Sequence, residues 1–146
     1  KVQTVSAHLR EVISMLEKLS HIGIAVQSIK EALPLYRDIL GMKLTEIKDM
    51  PERSLRVAFL ELDGTVIELL EGTGPESAIS KFIEKRGGGI HHLCFKVSEI
   101  DDALKTLSEK GIRLIDKQAR IGAEGNPVAF IHPASTGKVL MELEQD

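Results

Sequence analysis

Four residues of metal-ligand type stand at repeated points in this chain. His21 opens the run His-Ile-Gly-Ile-Ala-Val and His92 opens His-Leu-Cys-Phe-Lys-Val, 71 positions later. The same offset pairs Ile29 with Ile100, Ala32 with Ala103, Leu33 with Leu104, and Val57-Ala58-Phe59 with Val128-Ala129-Phe130. After a short slip, Glu68 in Val-Ile-Glu-Leu matches Glu142 in Leu-Met-Glu-Leu. Two copies of one unit thus each supply an imidazole and a carboxylate. A lone strand histidine or glutamate is ordinarily structural or solvent-facing. Recurrence at the matched point of a second copy favours ligation instead.

Two imidazoles and two carboxylates suit a borderline divalent ion such as cobalt, nickel, zinc or manganese. The set lacks the thiolates that a structural zinc prefers. It leaves coordination positions open for water or substrate, as a catalytic ion requires.

The elements that must carry these residues follow from periodicity. Residues 21–26 alternate as a strand, with Ile22, Ile24 and Val26 on one face and His21, Gly23 and Ala25 on the other. Both histidines therefore point away from the uniformly apolar face that helices would cover. Ser28 caps a helix running to Leu40, with Pro34 in its early turns and Gly41 ending it. Strands follow at 42–49, 55–62 and 65–71, the last two joined by the hairpin turn Asp63-Gly64.

A helix at 77–85 and the glycines 87–89 lead into the second copy. Its strand is 91–97, its helix 99–110, and its remaining strands 112–119, 127–132 and 138–144. Strand alternation sends His91 to the opposite face from His92, towards the apolar side or the strand end. The fold expected is α+β: two β-α-β-β-β modules, about 20–72 and 90–146, forming one cupped mixed sheet over residues 20–146. Ahead of it, residues 1–19 form an N-terminal segment. Leu9, Val12, Ile13, Leu16 and Leu19 recur there at helical spacing and predict an amphipathic helix over 7–19.

Composition narrows the function. A formal net charge of −3 provides no bulk basic field for nucleic acid, and Tyr36 with four Phe makes a poor base-stacking platform. No apolar run reaches the roughly 18 residues a membrane span needs. The single cysteine, Cys94, excludes an intrachain disulfide and is a weak candidate nucleophile, since no Cys/His pairing stands out. Glu11 and Glu17 argue against a transit peptide. The loop with Gly122 and Gly125 is a turn that could cover the site as a lid.

Three stretches carry a resemblance: Ile67–Glu71 with Ser77–Arg86, Gly89-Ile-His-His-Leu-Cys-Phe-Lys-Val97, and Ile121–Pro133 with the closing Val139–Gln145. They resemble the methylmalonyl-CoA epimerase family, within the vicinal oxygen chelate superfamily that includes glyoxalase I. The similarity spans residues 21–145. It implies paired modules around one divalent metal, with ligands at His21, Glu68, His92 and Glu142. It also implies a homodimer, acting in the cytoplasm of a prokaryote or the mitochondrial matrix of a eukaryote.

The implied substrate is methylmalonyl-CoA, an intermediate of propionate metabolism, and the implied reaction a 1,1-proton transfer at C2. The C2 proton lies between a thioester and a carboxylate, and its removal builds an enolate. One group takes the proton on one face and another returns one on the other. Glu142 is the first candidate and Glu52 the second. Two features depart from the family pattern: Lys138 stands where relatives usually have Gly, and Arg56–Phe59 lacks the carboxylate that some relatives carry. Lys81, Lys85, Arg86 and Lys117 are candidates by charge for the CoA phosphates. The alternatives are a glyoxalase I (lactoylglutathione lyase) and a non-catalytic small-molecule-binding module of the same fold.

Overall fold

The computed structural model describes residues 14–146. Strand β1 (Leu16–Ala25) leads through Ser28 into helix α1 (Ile29–Leu33), whose turns widen into a π-helix over Pro34–Ile39. Then come β2 (Lys43–Met50), a 3-10 turn (Pro51–Arg53), β3 (Leu55–Leu62) and β4 (Thr65–Gly72). Helix α2 (Ala78–Arg86) links to the second half: β5 (Gly89–Val97), α3 (Ile100–Glu109), β6 (Arg120–Ile121), β7 (Pro127–Ile131) and β8 (Met141–Glu144).

These strands join one curled sheet in the order β2-β3-β4-β1-β5-β8-β7-β6. The order reads the same from either edge once the copies are matched. β1 is parallel to β4, β5 is parallel to β8, and β1 and β5 run antiparallel at the centre. This is the α+β cupped sheet that the repeat implies.

Local chemistry sets the elements. Asp63 and Gly64 take φ of 43° and 86°, the left-handed pair that lets a two-residue turn match the twist of β3 and β4. Ser28 Oγ accepts the Glu31 N–H, and Ser77 Oγ accepts those of Ile79 and Ser80. The repeat extends to capping. Glu71 Oε1 accepts the Ile29 N–H at 2.7 Å, and Gln145 Oε1 accepts the Ile100 N–H at 2.7 Å.

Alternation sorts the two faces. Ile67 and Leu69 of β4 pack with Ile29, Leu33 and Leu60 beneath α1, while Val97, Ala129 and Leu143 pack with Ile100 and Leu104 beneath α3. Leu60, Leu69 and Leu143 are wholly buried, each contributing ~1.5–3 kcal/mol of transfer free energy. The residues between them in sequence face the concave side: His21 and Gly23, Glu68 and Leu70, His92 and Cys94, Glu142 and Glu144.

Three sequence expectations are corrected. Residues 16–19 do not end a helix; they belong to β1, where Leu16, Lys18 and Leu19 pair with Val97, Lys96 and Phe95. The end of β5 supplies their backbone partners by antiparallel pairing. Ser14 and Met15 join no element, and the rest of that expected helix, residues 7–13, lies outside the described residues. Residues 112–119 form no continuous strand. Asp116 Oδ2 accepts the Phe130 N–H at 2.8 Å, taking the place of a ladder carbonyl and leaving one bridge, Leu114 to Ile131. Third, the helix expected to run to Leu40 is α-helical only to Leu33. Beyond Pro34, which has no N–H, Leu40 N–H reaches back to the Leu35 carbonyl.

Candidate metal centre and substrate cavity

The central pair β1–β5 and its two parallel neighbours bring four donors together. His21 and Glu68 come from the first half, on β1 and β4; His92 and Glu142 come from the second, on β5 and β8. In the register, Gly23 pairs with both Glu68 and His92, and Cys94 pairs with both His21 and Glu142. The donors are therefore neighbours across three adjoining strand pairs. All four are buried.

His21 Nε2 lies 3.1 Å from His92 Nε2, 3.1 Å from Glu142 Oε1 and 3.4 Å from Glu68 Oε2. His92 Nε2 lies 3.3 Å from Glu142 Oε1. Two donors about 2.1 Å from a common ion and at right angles would stand about 3 Å apart. The observed separations and the N2O2 chemistry therefore fit a divalent cation.

Burial and mutual proximity sort the protonation of these groups. Burial, reinforced by Glu142, pushes the Glu68 carboxyl up to about 8 against the relief from His21. Burial also acts to raise Glu142, but hydrogen bonds from His21 and His92 outweigh it and hold this carboxyl down at about 2. His21 is raised: burial lowers it, and the Glu142 hydrogen bond with the charge of Glu68 more than compensates. Cys94 lies beside the donors, but burial and the nearby Glu142 and Glu144 raise its thiol. Its Sγ donates to Glu144 Oε1 at 3.9 Å, and the raised thiol makes it a poor nucleophile.

The donors form the floor of a cavity of about 390 Å³. Its walls are largely apolar, built from Leu55, Val57, Leu70, Val128, Phe130 and Leu140, a composition and size suited to a small organic ligand. Arg53 and Arg120 also line it, offering two cations to an anionic ligand. An adjoining groove carries Arg86, His132 and Lys138. Of the lysines and arginine proposed for phosphates, Arg86 alone reaches this groove. Lys81 and Lys85 line neither space, and Lys117 lies in a separate depression beside α3.

Glu52 is exposed on the turn Pro51–Arg53, and it is Arg53 that lines the cavity. Val57, on β3, lines the wall with an apolar side chain. The sequence reading missed Glu124, which lines the cavity from the loop between β6 and β7 and also borders a smaller depression lined by Lys48, Phe59 and Val66 of the first half. That loop is tied across the halves: Lys48 Nζ donates to the Ala123 carbonyl at 2.7 Å, and Arg53 Nη2 to that of Ile121 at 2.8 Å. The Gly122–Gly125 lid reading was the one signal pointing there. Burial, with the charge of Glu144, raises the Glu124 carboxyl.

His91 does not face the apolar side. It lines the cavity with Nδ1 3.0 Å from His92 Nδ1, because the β1–β5 register shifts at this residue and breaks the alternation. Burial, and then the charge of His92, lower it to about 4.

Comparison with known proteins supplies a family context. Residues 20–130 match the family model described as the glyoxalase/bleomycin resistance protein/dioxygenase superfamily. The mitochondrial methylmalonyl-CoA epimerase of Mus musculus is 42% identical over 131 residues, covering 89% of this chain and 74% of that protein. The ethylmalonyl-CoA/methylmalonyl-CoA epimerase of Cereibacter sphaeroides is 41% identical, covering 90% and 99%. The crystal structure of methylmalonyl-CoA epimerase from Mycobacterium tuberculosis superposes with a TM-score of 0.85 at 36% identity, covering 91% and 90%. Lactoylglutathione lyase of Neisseria meningitidis matches at 25% identity.

Proposed function

Since the chain belongs to the glyoxalase/bleomycin resistance protein/dioxygenase superfamily, we propose that it is a metal-dependent epimerase interconverting the 2R and 2S forms of methylmalonyl-CoA. The observation that carries this reading is the convergence of His21, Glu68, His92 and Glu142 on the floor of an apolar cavity. The 41–42% identity to epimerases, against 25% to a lactoylglutathione lyase, favours it over glyoxalase chemistry. Four intact donors disfavour a metal-free binding module.

Cobalt is the first choice of ion, with nickel, zinc or manganese as alternatives. A cation held by the four donors would supply Lewis acidity to the substrate's thioester and carboxylate oxygens. The chain's own residues do the rest. The apolar wall excludes water from C2. Arg53 and Arg120 attract the substrate's negative charge, and Arg86 with Lys138 in the adjoining groove suits the CoA phosphates. Proton transfer needs an acid/base group on each side of C2. Glu142 on β8 supplies one; Glu124, reaching across from the β6–β7 loop, supplies the other, in the role first given to Glu52. The exposed apolar side chains Leu35, Ile39, Leu40 and Ile47 support a homodimer as part of the same proposal, tested by its mass in solution.

The experiment is incubation of one epimer of methylmalonyl-CoA with cobalt-loaded protein in deuterated buffer. Deuterium should enter at C2 as the centre epimerises. Cobalt-loaded protein that leaves the C2 proton in place overturns the proposal.

A further inference from the structure

We propose that Ser20 and His91 are a matched pair of positioning residues, each fixing the tautomer of the histidine that follows it so that both rings present Nε2 to the cation. This rests on the reading of the four donors as a cation site. Ser20 and His91 stand at the same 71-residue offset as His21 and His92.

Both are bulge residues in the central β1–β5 pair. Leu19 faces Phe95 and His21 faces Cys94, so Ser20 is an extra residue on β1. Gly23 faces His92 and Ile24 faces Ile90, so His91 is an extra residue on β5. A bulge re-aims a side chain that alternation would send to the other face. Each side chain meets the ring next to it: Ser20 Oγ lies 3.2 Å from His21 Nδ1, and His91 Nδ1 lies 3.0 Å from His92 Nδ1.

The chemistry follows from counting protons. A neutral imidazole that ligates through Nε2 carries its one proton on Nδ1, and a buried N–H requires an acceptor. Ser20 has a single proton, and it is committed: Oγ–H donates to Glu144 Oε1 at 2.8 Å. Glu144 is held in place by Lys96 Nζ at 3.2 Å and by Asn126 Nδ2, which donates to its other oxygen at 3.2 Å. The Ser20 lone pairs therefore face His21 and accept its Nδ1–H. In the second copy His91 Nδ1 offers the lone pair to His92 Nδ1–H, and its own proton sits on Nε2. One repeat position thus does the same work with two different acceptors.

The test uses the full chain with Co2+ and Zn2+ as probes. In the zinc-loaded wild type, long-range proton–nitrogen spectra should show His21 and His92 bound through Nε2, with Nδ1–H protons protected from exchange. Ser20→Ala and His91→Leu should each weaken Co2+ binding by about 10–100-fold and lose the protected proton of the adjacent ring. Ser20→Thr and His91→Asn retain an acceptor and should bind within about threefold of wild type. Ligation through Nδ1, or truncations that bind as tightly as wild type, would overturn the pairing. So would conservative variants as weak as the truncations, since both residues would then be only packing. A wild type that takes up neither ion overturns the cation reading instead.

Discussion

Gly23 stands opposite His92 across the central strand pair, and the space a side chain would need there is filled by the His92 ring. A Cβ on Gly23 would lie 2.3 Å from His92 Cε1 and 2.5 Å from Nδ1. Gly23→Ala must therefore displace the donor or the strand. We expect it to destabilise the metal-free protein by ~1–3 kcal/mol, as overpacking does. Co2+ binding should fall by about 100-fold or more, because ring placement governs ligation. Calorimetric unfolding and metal titration read the two effects separately. Wild-type affinity in this variant would show that His92 is not a ligand.

Cation uptake should depend on pH in a direction set by Glu68. Its carboxyl is raised from 4.5 to about 8 in the metal-free protein, so it is mostly protonated near neutrality. Burial that favours the protonated form stabilises the metal-free fold at low pH; that contribution is lost as pH rises from about 4.5 through 8. Binding needs the Glu68 carboxylate and a neutral His21, which is also raised, so uptake at about pH 7 should release about one to two protons per ion. Apparent affinity should rise at least about tenfold per pH unit until about 8 and then flatten. Calorimetry in two buffers of different ionisation enthalpy measures the proton count. A flat profile with no proton release would remove Glu68 from the donor set.

The second proton-transfer group separates two loops. Glu124→Gln should lower turnover by roughly 10²–10⁴-fold while leaving Co2+ bound, since a loop carboxylate can move protons without holding the ion. Glu52→Gln should leave both unchanged, because Glu52 is exposed outside the cavity. Steady-state rates under conditions where chemistry limits, with metal content measured in parallel, check both. The reverse result would restore Glu52 to the role.

Lys138 carries backbone strain that a glycine would not. Its φ is 73°, in the left-handed region, while its N–H donates to the Pro133 carbonyl at 2.8 Å. Lys138→Gly should stabilise the protein by ~0.5–1 kcal/mol, the relief of the Cβ penalty partly offset by a freer unfolded chain. Urea unfolding reads this directly. A less stable variant would mean that the lysine side chain compensates for its own backbone.

The sequence disclosed the four donors because the repeat is exact in offset at His21 and His92 and nearly so at Glu68 and Glu142. Strand alternation then put all four on one face. The β3–β4 hairpin was equally legible, since Asp63-Gly64 dictates its turn locally. What escaped detection depends on partners distant in the chain. Alternation along β5 alone could not foresee the bulge at His91, which is a property of its pairing with β1. The strand expected at 112–119 was lost to one side chain, Asp116, competing for a ladder position. Glu124 reaches the cavity because Lys48 and Arg53, from the other half, hold its loop in place. Leu16 and Leu19 satisfy a helical period, yet antiparallel pairing with β5 claims them as strand.

The division of donors between the halves has a mechanical consequence. Each half brings two ligands, and a segment of about 70 residues has marginal stability by itself. An ion bound there would therefore act as a removable staple across the β1–β5 seam. At a free concentration of about a thousand times Kd, it would add ~4 kcal/mol to the docked state. Chelation would then do more than silence a reaction: it would loosen the seam, open its central amides to hydrogen exchange, and expose the Thr73–Gly88 connection to proteases.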